Sequence, residues 1–350
     1  MRACDDCGRR EVSYNSCRNR HCPKCGGAAR AAWLDARQAD LLPVPYFHLV
    51  FTLPRELALL ALSNRALLYD LLFRAATQTL CEIAADPRHL GAKIGGLLVL
   101  HTWGQNLEHH PHVHGVIPGG GLSADGQHWV ASRANFFLPV KVLSRVFRGK
   151  FLAELRGMWE RGELKLPGQL AALAATVEWR RFIRSLADRE WVVYAKPPFG
   201  GPEQVLKYLA RYTHRVAISN ERLLRLEEGQ VTFSWKNYAA GGRRQPMTLS
   251  GVEFLRRFLQ HVLPKGFVRI RQFGLWSNGQ RAKQLVRCRE LLAAARPEVP
   301  TPASEPLTED HPDDAPRCPH CGRGNWLIVE EVRRPCWPKL LRCRTFFDSS

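Results

Sequence analysis

Apolar and polar positions follow two different periods along this chain, and the changes between them separate strands from helices. Residues 46–53 and 97–102 have the aromatic and β-branched composition of strands. Residues 56–85 and 141–161 instead place apolar side chains at helical spacing, as expected of helices that pack on a core. The pattern predicts a fold that mixes strands with helices.

The same patterns predict the remaining elements. Residues 222–249 alternate strand-like runs with turns at Glu228-Gly229 and Gly241-Gly242, which indicates a three-stranded meander. Residues 119–121 are three glycines, which could suggest a phosphate-binding loop. No Gly-Lys-Ser/Thr follows them, so they are interpreted as a turn. The other predicted elements are a helix at 28–42, a strand at 191–196, a helix at 254–262 and a basic strand at 266–274.

Residues 97–122 predict a β-hairpin that carries several histidines. Because side chains alternate along a strand, His112 and His114 project from one face, about 7 Å apart at the backbone, and Val113 points into the core. Two imidazoles can hold a divalent cation if the neighbouring strand supplies a third donor. Gln105 is the first candidate for that donor and His101 is the second. Histidines are also common near turns, so the pair by itself does not establish a metal site.

Residues 201–216 predict a helix, since Pro202 and Glu203 are typical of a first helical turn. Tyr208 and Tyr212 are four residues apart and therefore neighbours on one face. They could belong to an apolar core stripe, but cations crowd the same turns and suit a polyanionic ligand. These cations include Lys207, Arg211 and Arg215.

Two Cys-x-x-Cys pairs near the start of the chain, fourteen residues apart, have the spacing of a four-thiolate zinc site. The predicted ligands are Cys4, Cys7, Cys22 and Cys25. A segment this small and polar has little apolar core, so zinc would supply much of its folding free energy. Cys17 and His21 are surplus donors. Arg18 and Arg20 lie between the pairs and suit DNA phosphates.

The charge balance favours a nucleic-acid partner. The formal net charge is +19, from 51 Lys and Arg against 32 Asp and Glu. In the predicted meander, Lys236, Arg243 and Arg244 accompany aromatic residues, a combination that binds single-stranded nucleic acid. No apolar run reaches membrane-spanning length and no signal peptide opens the chain, so we expect a cytoplasmic, nucleoid-associated protein without a membrane partner.

Composition also predicts the organisation of the chain. We expect a zinc module with a connector helix at 1–40, a catalytic domain at 41–292, an acidic, Pro-rich linker at 293–317 and a cysteine-containing tail at 318–350. In the tail, Cys318-x-x-Cys321 precedes Cys336 and Cys343. Their spacing suits a second zinc site less well than the first pairs do.

Five segments together resemble the HUH endonucleases, named for a hydrophobic residue between two histidines. They are YNSCRNRHCPKC (14–25), PVPYFHLVFTLP (43–54), HTWGQNLEHHPHVHG (101–115), YLARYTHRVAISN (208–220) and HVLPKGFVRIRQFG (261–274). Within that class the chain is similar to two-tyrosine rolling-circle transposases of bacterial insertion sequences, the insertion-sequence-ninety-one type. Relatives usually carry a helical stretch before the first Cys pair, so we expect either a start further upstream or a shortened copy.

The resemblance implies an α+β fold, with a central antiparallel sheet flanked by helices and a small N-terminal zinc module. It places the 46–53 strand beside the histidine strand, where His48 is interpreted as structural, with a metal role as the open alternative. It implies that His112, His114 and Gln105 hold Mg²⁺ or Mn²⁺, and that Tyr208 and Tyr212 attack single-stranded DNA to form 5′-phosphotyrosine links.

Three alternatives remain open. A rolling-circle replication initiator or relaxase would share the chemistry. A zinc-dependent DNA-binding regulator would bind DNA without cutting it. A transposase that uses three carboxylates fits less well, because no spaced Asp/Asp/Glu set stands out. The sequence leaves the oligomeric state undetermined.

Overall fold

The computed structural model of the 350-residue chain describes residues 2–11, 26–196, 217–219, 222–237, 240–294, 318, 320–323 and 326–329. It contains two compact units, one formed by Met1–Ser16 with Val299–Ser350 and the other by Cys17–Glu298. The strands are β1 (Arg2–Cys4), β2 (Arg10–Glu11), β3 (Tyr46–Thr52), β4 (Gly95–Trp103), β5 (His109–Pro118), β6 (Gly120–Leu122), β7 (Trp129–Ala131), β8 (Val193–Lys196), β9 (Leu223–Glu227), β10 (Gln230–Asn237), β11 (Arg243–Ser250), β12 (Ile270–Gly274) and β13 (Trp326–Ile328). The α-helices are α1 (Gly26–Gln38), α2 (Ala58–Ser63), α3 (Arg65–Ala85), α4 (Val140–Glu160), α5 (Thr176–Ala187), α6 (Gly251–Leu259) and α7 (Arg281–Ala294), with 3₁₀ turns at Arg55–Leu57 and Gly168–Ala174.

A five-stranded antiparallel sheet forms the centre of the larger unit, in the order β12-β4-β5-β3-β8. The predicted hairpin is confirmed as β4 and β5, and β3 pairs with the other edge of β5. The predicted α+β class, with a central antiparallel sheet and flanking helices, is confirmed.

One face of this sheet is covered by helices α2 to α5. Alternate residues of the three inner strands, among them Phe51, Leu100 and Val113, point to this side and are fully or almost fully buried. They pack against apolar side chains of the helices, such as Phe147 and Leu72. The burial of these apolar side chains supplies most of the driving force for folding.

The opposite face of the sheet is apolar for only part of its length. Leu97, Val99 and Val116 pack there with residues that include Leu285 of α7. Further along the same alternation come His101, His112 and His114. This face therefore changes from an apolar core into a cluster of imidazoles.

One predicted helix is divided in the structure, and one predicted turn is a strand. The single helix expected over 56–85 is broken at Asn64, whose side chain donates to the carbonyls of Leu60 and Lys165 and accepts from the Lys165 backbone N–H. The backbone of Asn64 has φ of −125° and ψ of 44°, outside the helical region, and α2 ends there. The turn expected at 119–121 is also wrong, since Gly120 and Gly121 belong to strand β6, which pairs with β7.

The predicted meander is confirmed as a separate sheet of order β11-β10-β9. Glu228 and Gly229 both have positive φ, which is the geometry of a tight hairpin turn. Helix α6 begins three residues earlier than predicted because the Ser250 side chain caps it by accepting from the Glu253 N–H. The basic strand is also shorter than predicted and begins at Ile270.

In the smaller unit, β1 lies between β13 and β2 in an antiparallel sheet. Among the described residues, no helix combines the length and the apolar character needed to cross a membrane.

Candidate metal centre

Three histidines of the central hairpin converge on one point. His101 of β4 lies opposite His112 of β5, and their ring centroids are 5.4 Å apart. The His114 centroid is 4.2 Å from that of His101 and 4.9 Å from that of His112. One ring nitrogen from each residue lies within 4.8 Å of the others. Three convergent imidazoles form a donor set that fits a divalent transition-metal ion.

Hydrogen bonding orients His112 for this role. Its Nδ1 lies 2.6 Å from the backbone carbonyl oxygen of His110. A carbonyl can only accept, so Nδ1 carries the proton and Nε2 keeps the lone pair that a metal needs.

His48 of β3 provides a similar contact to His114. The Nε2 of His48 lies 2.8 Å from the Nδ1 of His114, and the two rings are within 3° of parallel. If the His114 Nδ1–H donates to His48, the Nε2 of His114 is left as a donor to a metal. His48 therefore contacts a candidate ligand directly, a role that its place in an aromatic strand did not reveal.

Burial keeps the histidines of this cluster neutral. It lowers the pKa of His112 to about 4 and the pKa values of His101 and His114 well below the usual range. Burial, together with the positive charge of Lys196, lowers the pKa of His48 to about 4. Neutral imidazole is the form that binds a metal ion.

A second group of histidines holds the start of β5 in place. His109 donates through Nδ1 to the Ala58 carbonyl at 3.1 Å, and its Nε2 accepts from the Tyr69 hydroxyl at 2.8 Å. His261 donates through Nε2 to the Leu107 carbonyl at 3.1 Å. Burial lowers the pKa of His109 to about 3 and that of His261 to about 4.

The turn between β4 and β5 is held by the meander and by α6. Arg222 donates to the backbone carbonyl of Gln105, and Arg257 donates to that of Asn106 at 3.0 Å. Leu107, with φ of 63°, is fully buried and packs with Ala217 and Phe233. The turn therefore joins the histidine hairpin to the meander.

The two predicted candidates for the third ligand occupy different places in the structure. His101 belongs to the histidine cluster, whereas Gln105 lies in the turn and accepts from Arg222 through its backbone carbonyl. The predicted side-chain role of Gln105 stays a prediction. The sequence could not distinguish the two, because the choice depends on how β4 and β5 are paired.

The predicted nucleophiles Tyr208 and Tyr212 lie outside the described residues, as do Lys207, Arg211 and Arg215. The described residues that flank this segment are Lys196 and Ala217. Lys196, at the end of β8, pairs with His48, and Ala217 packs against Leu107.

The three cations predicted in the meander lie close together at one end of the β10–β11 hairpin. Lys236 is directly opposite Arg244, Arg243 is opposite Asn237, and all three cations are exposed. Like charges directly opposite each other on a sheet destabilise it, so this arrangement suits an anionic ligand. The other predicted DNA contacts, Arg18 and Arg20, lie outside the described residues.

The cysteines form a second candidate metal site. The thiols of Cys4 and Cys7 lie beside those of Cys318 and Cys321, with all four sulfurs within 4.8 Å of one another. Cys22 and Cys25, the predicted partners of Cys4 and Cys7, lie outside the described residues.

Two family models match the chain. A model described as "Putative transposase" matches residues 95–284, which include the histidine hairpin and the tyrosine segment. A model described as "Transposase zinc-binding domain", of the insertion-sequence-ninety-one type, matches residues 1–53.

Two relatives support the same assignment. The chain is 52% identical over 338 residues to "Putative transposase y4qJ" of Sinorhizobium fredii. This match covers 94% of this chain and 84% of the relative. It is 33% identical over 289 residues to the transposase for insertion sequence element IS801 of Pseudomonas savastanoi pv. phaseolicola, covering 82% of this chain and 68% of the relative. The chain belongs to the transposase family of insertion sequences of the ninety-one type, and it is therefore an enzyme of DNA transposition with an N-terminal zinc-binding domain.

Among solved structures, the chain superposes weakly on the conjugative relaxase TrwC in complex with oriT DNA. The metal-bound form matches with a TM-score of 0.27 and 14% identity, covering 71% of this chain and 72% of that one. A complex of TrwC with a 27-mer DNA matches with a TM-score of 0.25 and 15% identity, covering 70% and 73%.

Proposed function

We propose that this transposase nicks and rejoins single-stranded DNA at insertion-sequence ends through 5′-phosphotyrosine intermediates, as in rolling-circle transposition. The observation that carries the proposal is the convergence of His101, His112 and His114 on one point. A bound Mg²⁺ or Mn²⁺ would neutralise the oxygens of the scissile phosphate. Three imidazole donors favour Mn²⁺ over Mg²⁺, which prefers oxygen ligands.

Tyr208 and Tyr212 are the proposed nucleophiles. Ala217, the first described residue after this segment, packs with Leu107 of the hairpin turn. A tyrosine hydroxyl with an ordinary pKa of about 10 needs a positive field to act as a nucleophile. Lys207, Arg211 and Arg215 are proposed to supply that field.

Each proposed step exchanges one phosphoester bond for another. The tyrosine hydroxyl gives up its proton as its oxygen bonds to the phosphorus, the bond to the 3′-oxygen of the preceding nucleotide breaks, and that oxygen takes up a proton to leave as a 3′-hydroxyl. A free 3′-hydroxyl can reverse the step on the same or another strand. Two tyrosines permit one link to the donor strand and one to the target, and no external energy source is needed.

The cations of the meander are proposed to hold the single strand next to this centre. Lys236, Arg243 and Arg244 are exposed on a sheet whose Phe233 packs against Leu107 of the hairpin turn. The partly buried Trp235 belongs to the same apolar cluster, and by strand alternation it shares a face with Arg243, while Lys236 and Arg244 lie on the other face. Cations with aromatic side chains bind single strands through phosphates and base stacking.

The test is cleavage of labelled DNA from the ends of the element, single-stranded or duplex, with and without Mn²⁺. We expect Mn²⁺-dependent cleavage of the single strand, and loss of that cleavage in the variant His112→Ala with DNA binding retained. Binding without cleavage under every metal condition would instead favour a DNA-binding regulator. Movement of a marked element in cells separates transposition from replication initiation, which shares the chemistry.

A further inference from the structure

Two Cys-x-x-Cys pairs from opposite ends of the sequence meet in the smaller unit. The Sγ of Cys4 lies 3.7 Å from that of Cys321, and the Sγ of Cys7 lies 3.8 Å from that of Cys318. Strand β1 ends at Cys4 and pairs with β13, which follows the second Cys pair. The two ends of the chain are thus joined both by a sheet and by a group of thiols.

The two pairs have the same local structure. Each reads Cys-x-x-Cys-Gly, and in each the glycine N–H donates to the carbonyl of the first cysteine, at 3.1 Å for Gly8 and 2.8 Å for Gly322. Both glycines have positive φ, 68° and 70°. Only glycine adopts this conformation readily, and it turns the chain so that both thiols of a pair point the same way. Repetition of this turn at both ends of the chain indicates two halves of one binding site.

The spacing of the sulfurs fits a tetrahedral ion. Four thiolates at the zinc–sulfur distance of about 2.3 Å lie about 3.8 Å from one another in a tetrahedron. The two distances of 3.7 and 3.8 Å match this value. A disulfide, with sulfurs about 2.05 Å apart, does not fit them.

We propose that Cys4, Cys7, Cys318 and Cys321 bind one zinc ion in a ribbon assembled from both ends of the chain. The zinc-binding family model covers residues 1–53 and leaves the second pair unassigned. In this arrangement Cys22 and Cys25 are not partners of Cys4 and Cys7.

The described part of this unit offers little else to hold it together. The side chains of Leu327 and Val329 are about half exposed, and the residues from Asp5 to Arg10 are exposed. The described ion pair across the two turns, Arg323 with Asp6 at 3.5 Å, is also exposed. A small sheet without a sizeable core depends on its metal for folding free energy.

Zinc content of the full chain tests the ligand set. We expect Cys318→Ser/Cys321→Ser and Cys4→Ser/Cys7→Ser each to remove one zinc equivalent per chain, and the fourfold variant to remove no more than either pair. Cys336→Ser/Cys343→Ser is the matched control in the same tail and retains full zinc. Full zinc in Cys318→Ser/Cys321→Ser, or a loss of two equivalents in the fourfold variant, would overturn the proposal.

A second measurement does not depend on how the cysteine variants fold. A specific protease site is inserted between Ala303 and Ser304 of the full chain, in the acidic linker predicted from sequence. After cleavage we expect the C-terminal piece to co-elute with the rest of the protein in zinc buffer, to separate when zinc is chelated and to return when zinc is restored. Separation in the presence of zinc, or retention after zinc is removed, contradicts the proposal.

Discussion

The Nε2 of His48 lies 2.8 Å from the Nδ1 of His114, across two strands of the central sheet. His114 belongs to the three-histidine cluster, and His48 lies outside it and contacts His114. Both residues are buried. A fixed second imidazole at this position sets which nitrogen of His114 carries the proton and how its ring is turned.

Replacing His48 is therefore expected to weaken metal binding without removing a ligand. We predict that His48→Ala lowers Mn²⁺ affinity by about 10- to 100-fold, the usual effect of losing such a partner. Cleavage lost at low Mn²⁺ should return at high Mn²⁺. His48→Gln, whose amide oxygen can accept from the His114 Nδ1–H, should recover part of the affinity.

The matched control for this prediction is His128→Ala, since His128 is an exposed histidine outside the cluster. Titration of Mn²⁺ followed by electron paramagnetic resonance measures the affinity. Equal affinities of His48→Ala and the control, in proteins with the same circular dichroism spectrum, would show that the contact has no effect on the metal.

The third metal ligand gives a second prediction, because His101 and Gln105 are both candidates. His101 lies within the cluster and Gln105 lies in the hairpin turn. We predict that His101→Ala reduces Mn²⁺ affinity by at least about tenfold, whereas Gln105→Ala, whose backbone carbonyl still accepts from Arg222, changes it by less than about threefold. The same titration decides between them, and the reverse order would restore Gln105 as the ligand.

The buried neutral histidines predict how stability depends on pH. The native pKa values of His109 and His261 are lowered to about 3 and about 4, against about 6.5 in the unfolded chain. Between these limits the unfolded chain binds more protons than the native one, so the free energy of unfolding falls as pH decreases below 6.5. Each residue contributes up to about 1.4 kcal/mol per pH unit.

Urea unfolding of the metal-free protein between pH 7 and pH 5 measures this dependence. The variant His261→Gln should show a shallower slope of stability against pH than the native sequence. His128→Gln, at an exposed position, should leave the slope unchanged. A native protein whose stability rises as pH falls from 6.5 would be inconsistent with burial of these imidazoles in their neutral form.

The meander cations predict a change in the salt dependence of DNA binding. If Lys236, Arg243 and Arg244 each contact a phosphate of a single strand, replacing all three by Ala should lower the slope of log affinity against log salt by about 2. Fluorescence anisotropy with labelled single-stranded DNA measures this slope.

A control variant replaces three exposed arginines on α4 and α5. These helices cover the face of the central sheet opposite the histidine cluster. They are Arg156, Arg180 and Arg184. The two triple variants remove the same charge, so an equal change in slope would mean that net charge, and not the meander surface, binds the strand.

Local patterns predicted much of this fold. Strict alternation around Val113 placed His112 and His114 on one face and Val113 in the core, and the structure confirms this arrangement. The turn signals of the meander were equally reliable, since glycine readily adopts the positive φ that tight turns require, as it does at Gly229, Gly241 and Gly242. These features depend on residues that are neighbours in sequence.

Features that depend on distant residues were not predictable in the same way. The position of His101 in the cluster is set by the register of β4 against β5, which shifts between His101 and Trp103. The contact between His48 and His114 joins residues 66 positions apart. The proximity of Cys4 and Cys321 joins residues 317 positions apart, while the fourteen-residue spacing to Cys22 gave an equally reasonable local pairing. The spacing of residues along a chain does not determine which of these possible partners lie together in the fold.

Tyrosines of segment 201–216 are proposed to attack DNA held at the three-histidine centre. The most direct measurement mixes purified protein with labelled single-stranded DNA from the end of the element and Mn²⁺, then looks for an adduct that survives denaturation. We predict an adduct that maps to Tyr208 or Tyr212, is reduced in each single Tyr→Phe variant and is absent from the double variant and from His112→Ala. An adduct that persists in the double variant would contradict the account.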